Sequence, residues 1–360
     1  MSVKFALLIG VFATCAVQAQ SPPASAVMRA DVERLVRAAG QLTDSWPKQP
    51  APPLPEVATV ARHGRAVSPL LMALLSDDPS VERDRPRWKA QQQAALALVT
   101  IYDSRSAPCG ANYCDGDPPE RIGQVRQGWV RRIAADGELR ARTTRELLDR
   151  FNAEKSALAK ISVRDELARR GDRSIIPELE SRLTLDDRHL RGNAALILGR
   201  LGDPRGFETI VEILADRESR AITQGIPGGN PTVRAQVRSD RYFAAHLLGD
   251  LRDPRGVAIL APLLNDDDVS YIVPWALAEI GGRDAVALLV SQLESRTVSS
   301  SLRVLAVHAL ELLGAREALP KLRELQNDTG PSNFGEMLTV GEAARHAIAV
   351  IGGVRGPSPL

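Results

Sequence analysis

One phrase recurs along this chain, and its recurrence constrains the fold more than anything else in the sequence. It reads LILGRLGDPRGFETIVEILAD at 196–216, LLGDLRDPRGVAILAPLLND at 247–266 and LAEIGGRDAVALLVSQLES at 277–295. Two further copies are ELLGAREALPKLRELQND at 311–328 and LARRGDRSIIPELESRLTLDD at 167–187. In each, a helix-spaced apolar segment runs into a turn and a second apolar segment leads out. A unit this short cannot bury its own apolar face and must stack on its neighbours, so the chain is expected to be a linear array of helix pairs. The turn landmarks Gly171, Gly202, Arg252, Gly281 and Gly314 are 31, 50, 29 and 33 residues apart. The long interval contains an insertion, 217–240, rich in Gly and Pro and not expected to be helical throughout.

Local chemistry agrees with this reading. Asp203 and Asp253 stand just before Pro204 and Pro254. An Asp side chain accepts the free amides of a helix start, and a Pro in the first turn costs nothing there. Gly341 to Ile351 reads as a closing helix. Upstream, 26–43 has apolar residues at helical spacing, and WPKQPAPPLPE (46–56) is too proline-rich for a helix interior. Residues 57–103 read as a degenerate helix pair with an alanine-rich helix from Lys89 to Tyr102. Two further helices are expected at 120–134 and 138–170.

The pattern Arg191-x-x-Ala194-Ala195-x-x-Leu198-Gly-x-Leu201-Gly202-Asp203-Pro204, with the matching Ala244-Ala245-x-x-Leu248-Gly249, resembles HEAT repeats. Among these it is similar to the short bacterial type also found in phycobilin lyases. The resemblance covers about 155–352. It implies an all-α fold, a right-handed α-solenoid of antiparallel helix pairs, and a scaffold that binds other proteins. Repeats of this kind serve many unrelated roles, so no single activity follows from them.

Composition narrows the partner. Lys and Arg number 46 against 44 Asp and Glu, which leaves no large uniform field for nucleic acid. At the N-terminus Lys4 precedes FALLIGVFATCAVQA, and Val17-Gln18-Ala19 fits a small-x-small cleavage pattern. This is the form of a signal peptide (1–19), and the apolar run is shorter than a membrane span requires. The expectation is an exported chain, periplasmic or secreted, with no span after cleavage. In such a compartment Cys109 and Cys114, in the loop 103–118, are expected to form a disulfide. Metal binding is the alternative, but no second Cys pair or nearby His completes a zinc set. The chain thus divides into the signal, an N-terminal helix with its Pro-rich linker (20–55), degenerate repeats (56–154), the array (155–352) and a tail (353–360).

Register exposes the candidate site. Six residues before each landmark, or its equivalent in the last helix, stand Leu196, His246, Trp275, His308 and His346. Three of the five histidines therefore share one repeat position and could form a stripe, as a ligand groove or as packing. Neighbouring helices lie about 8–10 Å apart, too far for one metal unless His308 and His346 lean together. The insertion adds Arg217, Arg220, Arg234, Arg238 and Arg241, a possible basic rim. No histidine is followed by Glu, which excludes the His-Glu iron pattern of deoxyhypusine hydroxylase-like proteins. Phosphate loops, nucleophile elbows and haem signatures are absent, and balanced charge opposes a DNA glycosylase. The expectation is a non-catalytic scaffold for an unidentified protein partner in the cell envelope, with no cofactor. Its alternative is an accessory subunit of an envelope enzyme, holding a metal through the repeat-register histidines.

Overall fold

Positive φ occurs at every turn landmark: 69° at Gly171, 79° at Gly202, 76° at Gly281 and 60° at Gly314. The fifth, Arg252 at 58°, is the one non-glycine residue with positive φ among the described residues. The left-handed conformation reverses the chain after a helix and is nearly free only for Gly. The computed structural model describes residues 25–43, 51–102, 112–156, 160–218, 233–295, 297–332 and 339–353. These contain seventeen α-helices and no β-sheet.

The N-terminal part comprises α1 (Ala26–Ala39), α2 (Pro55–Ala61), α3 (Ser68–Leu74), α4 (Arg85–Ile101) and α5 (Pro119–Ala141). They close over a core of Leu35, Val60, Leu71, Trp88, Leu98, Tyr113 and Trp129. The helix α4 is buried on several sides, including Gln91, Gln92 and Gln93. All three side chains bond loop backbone, Gln92 by donating to the Tyr113 carbonyl at 3.2 Å. Gln93 accepts from the Leu54 amide at 2.8 Å and donates to the Pro52 carbonyl at 2.9 Å. Gln91 accepts from Ser76 N at 2.7 Å. Buried polar groups must be paired in this way or destabilise the fold.

The stretch 138–170, read from sequence as one helix, is divided in the structure. Helix α5 ends at Ala141, α6 (Thr144–Ala153) follows, and α7 (Ile161–Arg170) starts after a further break. The first break is a capping box. The Thr143 hydroxyl accepts from Glu146 N, and the Glu146 carboxylate accepts from Thr143 N at 2.6 Å. This arrangement satisfies amides that a continuing helix would have bonded internally.

From α7 the pairs are regular. They run α7 with α8 (Ile176–Glu180), α9 (Arg188–Arg200) with α10 (Pro204–Ala215), and α11 (Val233–Leu251) with α12 (Arg255–Leu260). Then come α13 (Val273–Ile280) with α14 (Arg283–Glu294), α15 (Ser300–Leu312) with α16 (Leu319–Leu325), and α17 (Val340–Gly353). The caps expected from sequence are present. Asp203 Oδ1 accepts from Arg205 N at 3.0 Å, and Asp253 Oδ1 from Arg255 N at 2.9 Å.

The first helices, α7, α9, α11, α13, α15 and α17, pack directly on one another in sequence and form an inner row. The second helices pack chiefly across onto that row. Small residues set the inner spacing. A Cβ on Gly192 would meet Leu247 Cδ1 at 2.7 Å, one on Gly199 would meet Leu251 Cδ1 at 2.7 Å, and one on Gly249 would meet Trp275 at 2.9 Å. Three of the pairs are also clamped by charge. Arg188 reaches Asp216 at 2.7 Å, Arg241 reaches Asp266 at 2.9 Å, and Arg303 reaches Asp328 at 2.6 Å. Each clamp ties a first helix to the exit of its second.

Candidate functional site

Four residues of α11, Arg238, Tyr242, His246 and Asp250, lie at i,i+4 spacing and so share one side of the helix. Buried leucines and alanines occupy the opposite side: Ala244, Ala245, Leu247 and Leu248. The next inner helix, α13, brings Trp275 against this strip, and the turn that leads into it brings Tyr271. Tyr242 and Tyr271 stack with ring centroids 5.2 Å apart and planes at 15°. His246 and Trp275 stack at 4.2 Å and 29°. The Arg238 guanidinium lies 5.2 Å from the centre of the Tyr271 ring, within cation–π range. Tyr242, His246, Tyr271 and Trp275 are all half-buried, and Arg238 is exposed. The indole N–H of Trp275 is buried and meets no acceptor among the described residues.

Asp250 ends the strip and fixes its geometry. His246 Nδ1 is 3.2 Å from Asp250 Oδ2. Arg164 of α7 reaches past α9, bonding Asn193 Oδ1 at 3.2 Å and Asp250 Oδ2 at 3.0 Å. Arg200 donates to the Asp250 backbone carbonyl. Burial works to raise the Asp250 carboxyl, but the bond from His246 and the nearby Arg164 and Arg200 prevail and hold it below the usual carboxylate range. Asp165, on α7, holds the same register position as His246 and Trp275. Its carboxylate pairs with Arg164 at 2.7 Å.

The expected stripe is thus present as two separate groups. His246 and Trp275 form one. In the other, His346 is buried with Nδ1 2.8 Å from Glu311 Oε2, and Glu311 lies on α15 one turn beyond His308. Burial pushes the His308 imidazole below its ordinary value; Glu311 opposes this and His346 adds to it. Burial works to raise Glu311, but the attraction of His346 and its hydrogen bond bring that carboxyl below its ordinary value. Among the described residues no set of three or more His, Cys, Asp or Glu side chains is placed to hold a metal ion. The remaining histidines are in structural contacts: His63 with Asp31 at 2.7 Å, and His189 stacked on Phe243 at 4.3 Å.

The basic rim takes a different form from the one expected. Arg217 is taken up by Asp266 at 2.8 Å. Arg241 is buried between Asp266 and Asp268, because it is a clamp residue of the repeat rather than part of the insertion. Arg238 remains exposed, but over Tyr271. Arg220 and the side chain of Arg234 lie outside the described residues. So does Cys109, and with it the expected bridge; Cys114 itself is buried.

Sequence reading missed Tyr242, Asp250 and Tyr271, although the i,i+4 spacing around His246 would have found the first two. It also missed Asp115, which follows Cys114. Asp115 accepts from Trp88 Nε1 at 2.6 Å, Lys89 Nζ at 3.0 Å, Gln92 Nε2 at 3.0 Å and Arg85 at 2.9 Å. Burial works to raise this carboxyl, yet the bonds from Trp88, Lys89 and Arg85 and the charge of Lys89 hold it far below its usual range. Nothing in sequence spacing announces a partner more than twenty residues away from those four.

No curated protein matches the sequence significantly. Residues 129–226 match the family model for HEAT repeats, a stretch running from within α5 through α10 into the insertion. The helix pairs beyond it reverse at the same turn landmarks, with an Asp cap repeated at Asp253 and an Arg–Asp clamp repeated at Arg241 and Arg303. The match supports a HEAT-repeat protein, and the helices of the described residues are consistent with an all-α solenoid of the HEAT type, a repeat that suggests a protein-interaction scaffold.

Proposed function

We propose that this protein is a non-catalytic scaffold that holds a protein partner along its inner row, with the strip from Arg238 to Trp275 as the centre of contact. The single observation that carries this is the composition and state of the strip. Tyr242, Tyr271 and Trp275 are three of the chain's eight Tyr and Trp residues, gathered half-buried at one place. Rigid aromatics with polar edges, beside an arginine, are the residues that dominate the energetics of protein interfaces.

The test is site-specific photo-crosslinking in the protein's own cells from position 242 or 271, followed by mass spectrometry. Glu212, exposed on α10, is the control. One protein captured from both inner positions and not from 212 supports the reading. Equal capture from 212 overturns it.

The place of action is proposed to be the cell envelope, reached by export, on the strength of the N-terminal segment described above. An oxidising compartment would also let Cys109 and Cys114 form their bridge. Fractionation with N-terminal sequencing tests this part alone. A mature chain starting near Gln20 in the envelope supports it, and an uncleaved cytoplasmic chain overturns it.

A further inference from the structure

The first pair of the array departs from a clamp that two later pairs, α11 with α12 and α15 with α16, build at the same two register positions. Arg241 and Arg303 stand eleven residues before their landmarks, and Asp266 and Asp328 stand fourteen residues after them. Lys160 holds the eleventh position before Gly171, but the fourteenth after it is Leu185. A buried cation therefore keeps its place while the carboxylate that would pair with it is replaced by an apolar side chain.

The consequences are visible at Lys160. It is 3% exposed. Its ammonium donates to the Phe151 carbonyl and lies 4.6 Å from the centre of the Phe151 ring. It pairs with no carboxylate among the described residues. The two acidic groups nearest in effect, Glu154 and Asp187, are engaged by backbone amides: Glu154 by Ser156 N at 2.8 Å, Asp187 by His189 N and Leu190 N at 3.0 Å. Burial, reinforced by Arg182, pushes the ammonium below its ordinary value. A buried ammonium without a counter-charge destabilises a fold.

Lys160 opens onto a cavity of about 320 Å³, at the small end of the range for ligand pockets. Lys155 and Arg182 also line it, and neither makes a side-chain ion pair among the described residues. Glu154 is the one carboxylate in the lining, against three cations. Phe151, Leu185 and Leu190 supply apolar wall. Asn152, which also lines the cavity, has its Oδ1 buried without a donor.

We propose that this cavity is a binding site for a small organic carboxylate with an apolar tail, whose carboxylate takes the place beside Lys160 that Asp266 and Asp328 fill beside Arg241 and Arg303. The tail lies against Leu185, Leu190 and Phe151, and Arg182 and Lys155 close the anionic end. An inorganic anion lacks the tail, an alcohol of the same length lacks the charge, and an amine carries the opposite one.

The full chain is titrated with hexanoate, hexanol, hexylamine and inorganic phosphate, following heat of binding and Tm. Hexanoate is expected to bind and raise Tm while the other three leave it unchanged. Lys160→Met removes the cation, and Leu185→Asp restores the clamp carboxylate within the fold. Each is expected to weaken hexanoate about tenfold or more, the loss of one charge-assisted contact. Should Leu185→Asp fail to fold, Lys160→Met reads the same quantity, since an apolar replacement of a buried charge is well tolerated. Hexanol binding as tightly as hexanoate, phosphate binding more tightly, or hexanoate affinity unchanged in a folded variant would each overturn the proposal.

Discussion

The imidazole of His246 lies over the indole of Trp275, with ring centroids 4.2 Å apart, and joins two successive inner helices on their solvent-facing side. Each side chain is held from elsewhere, His246 by Asp250 and Trp275 by the main core that it packs against. The pair is therefore preorganised, which lowers the ordering cost a partner would meet on docking.

Trp275→Phe separates the indole N–H from the ring. In the isolated chain that N–H has no acceptor, so losing it relieves a buried unpaired donor worth about 1–3 kcal/mol and offsets the smaller ring. Thermal stability is expected to stay within about 1 kcal/mol of the parent. Affinity for the captured partner is expected to fall about tenfold, as for a central interface residue. A parallel loss of both would show that Trp275 serves packing alone.

Arg252 tests the turn. A glycine there removes the left-handed penalty of about 1–2 kcal/mol. It also removes the guanidinium 2.6 Å from the buried Glu279, and breaking such a pair costs about 3–5 kcal/mol when fully buried. Because Arg252 is itself 35% exposed, the cost is smaller, and Arg252→Gly is expected to destabilise by about 1 kcal/mol net. With Glu279→Gln added, stability should recover to the parent's or above. Urea midpoints of the two single variants and the double variant read this out.

Gly206 and Gly256 occupy equivalent places but differ in what surrounds them. A Cβ on Gly206 would fall on the backbone of Gly199 and Ala195, whereas one on Gly256 meets first the end of the Ile280 side chain at 2.8 Å. Gly206→Ala is expected to cost about 2–3 kcal/mol, because backbone cannot swing aside. Gly256→Ala should change stability by less than about 1 kcal/mol, since the helix gain from alanine opposes a small repacking. Equal costs would mean that α9 and α10 can separate freely.

Asp266 sets a pH dependence. The hydrogen bond from Arg241 is the largest influence on its carboxyl, which is held at about 2 against an ordinary 3.8. A depressed folded value means that the unfolded chain takes up the proton first. The stabilisation is complete above the ordinary value and is lost as pH falls through about 2. Asp266→Asn should remove roughly 1–2 kcal/mol at pH 7 and flatten the acid limb of stability between about pH 4 and pH 2. Chemical denaturation at several pH values shows this directly.

Much of this architecture was legible because repeated turns leave repeated residues. Gly171, Gly202, Gly281 and Gly314 marked the reversals, and the common register located Arg252 without a glycine. The capping box at Thr143 was equally local, yet the mixed charges around it masked a helix break. The site was legible only in part. Register shows that His246 and Trp275 occupy equivalent positions on neighbouring helices, but it cannot say which of five histidines stacks, pairs with an acid or packs. Those outcomes depend on residues one helix away, such as Glu311 for His346 and Asp250 for His246. The absence of a carboxylate at Leu185 was visible in the sequence as well. It acquires meaning only once Arg241–Asp266 and Arg303–Asp328 are seen as bonds.

The inner row also bears on how the polypeptide could be divided. Helix α11 packs directly on both α9 and α10, although the connection between α10 and α11 is the longest in the array. Covalent continuity at that connection is therefore redundant with the non-covalent seam beside it. A fragment ending at 218 and another beginning at 233 would each carry one face of the seam, including the glycine side of α9 and the leucine side of α11. Two such fragments, co-expressed, are expected to re-associate along that seam.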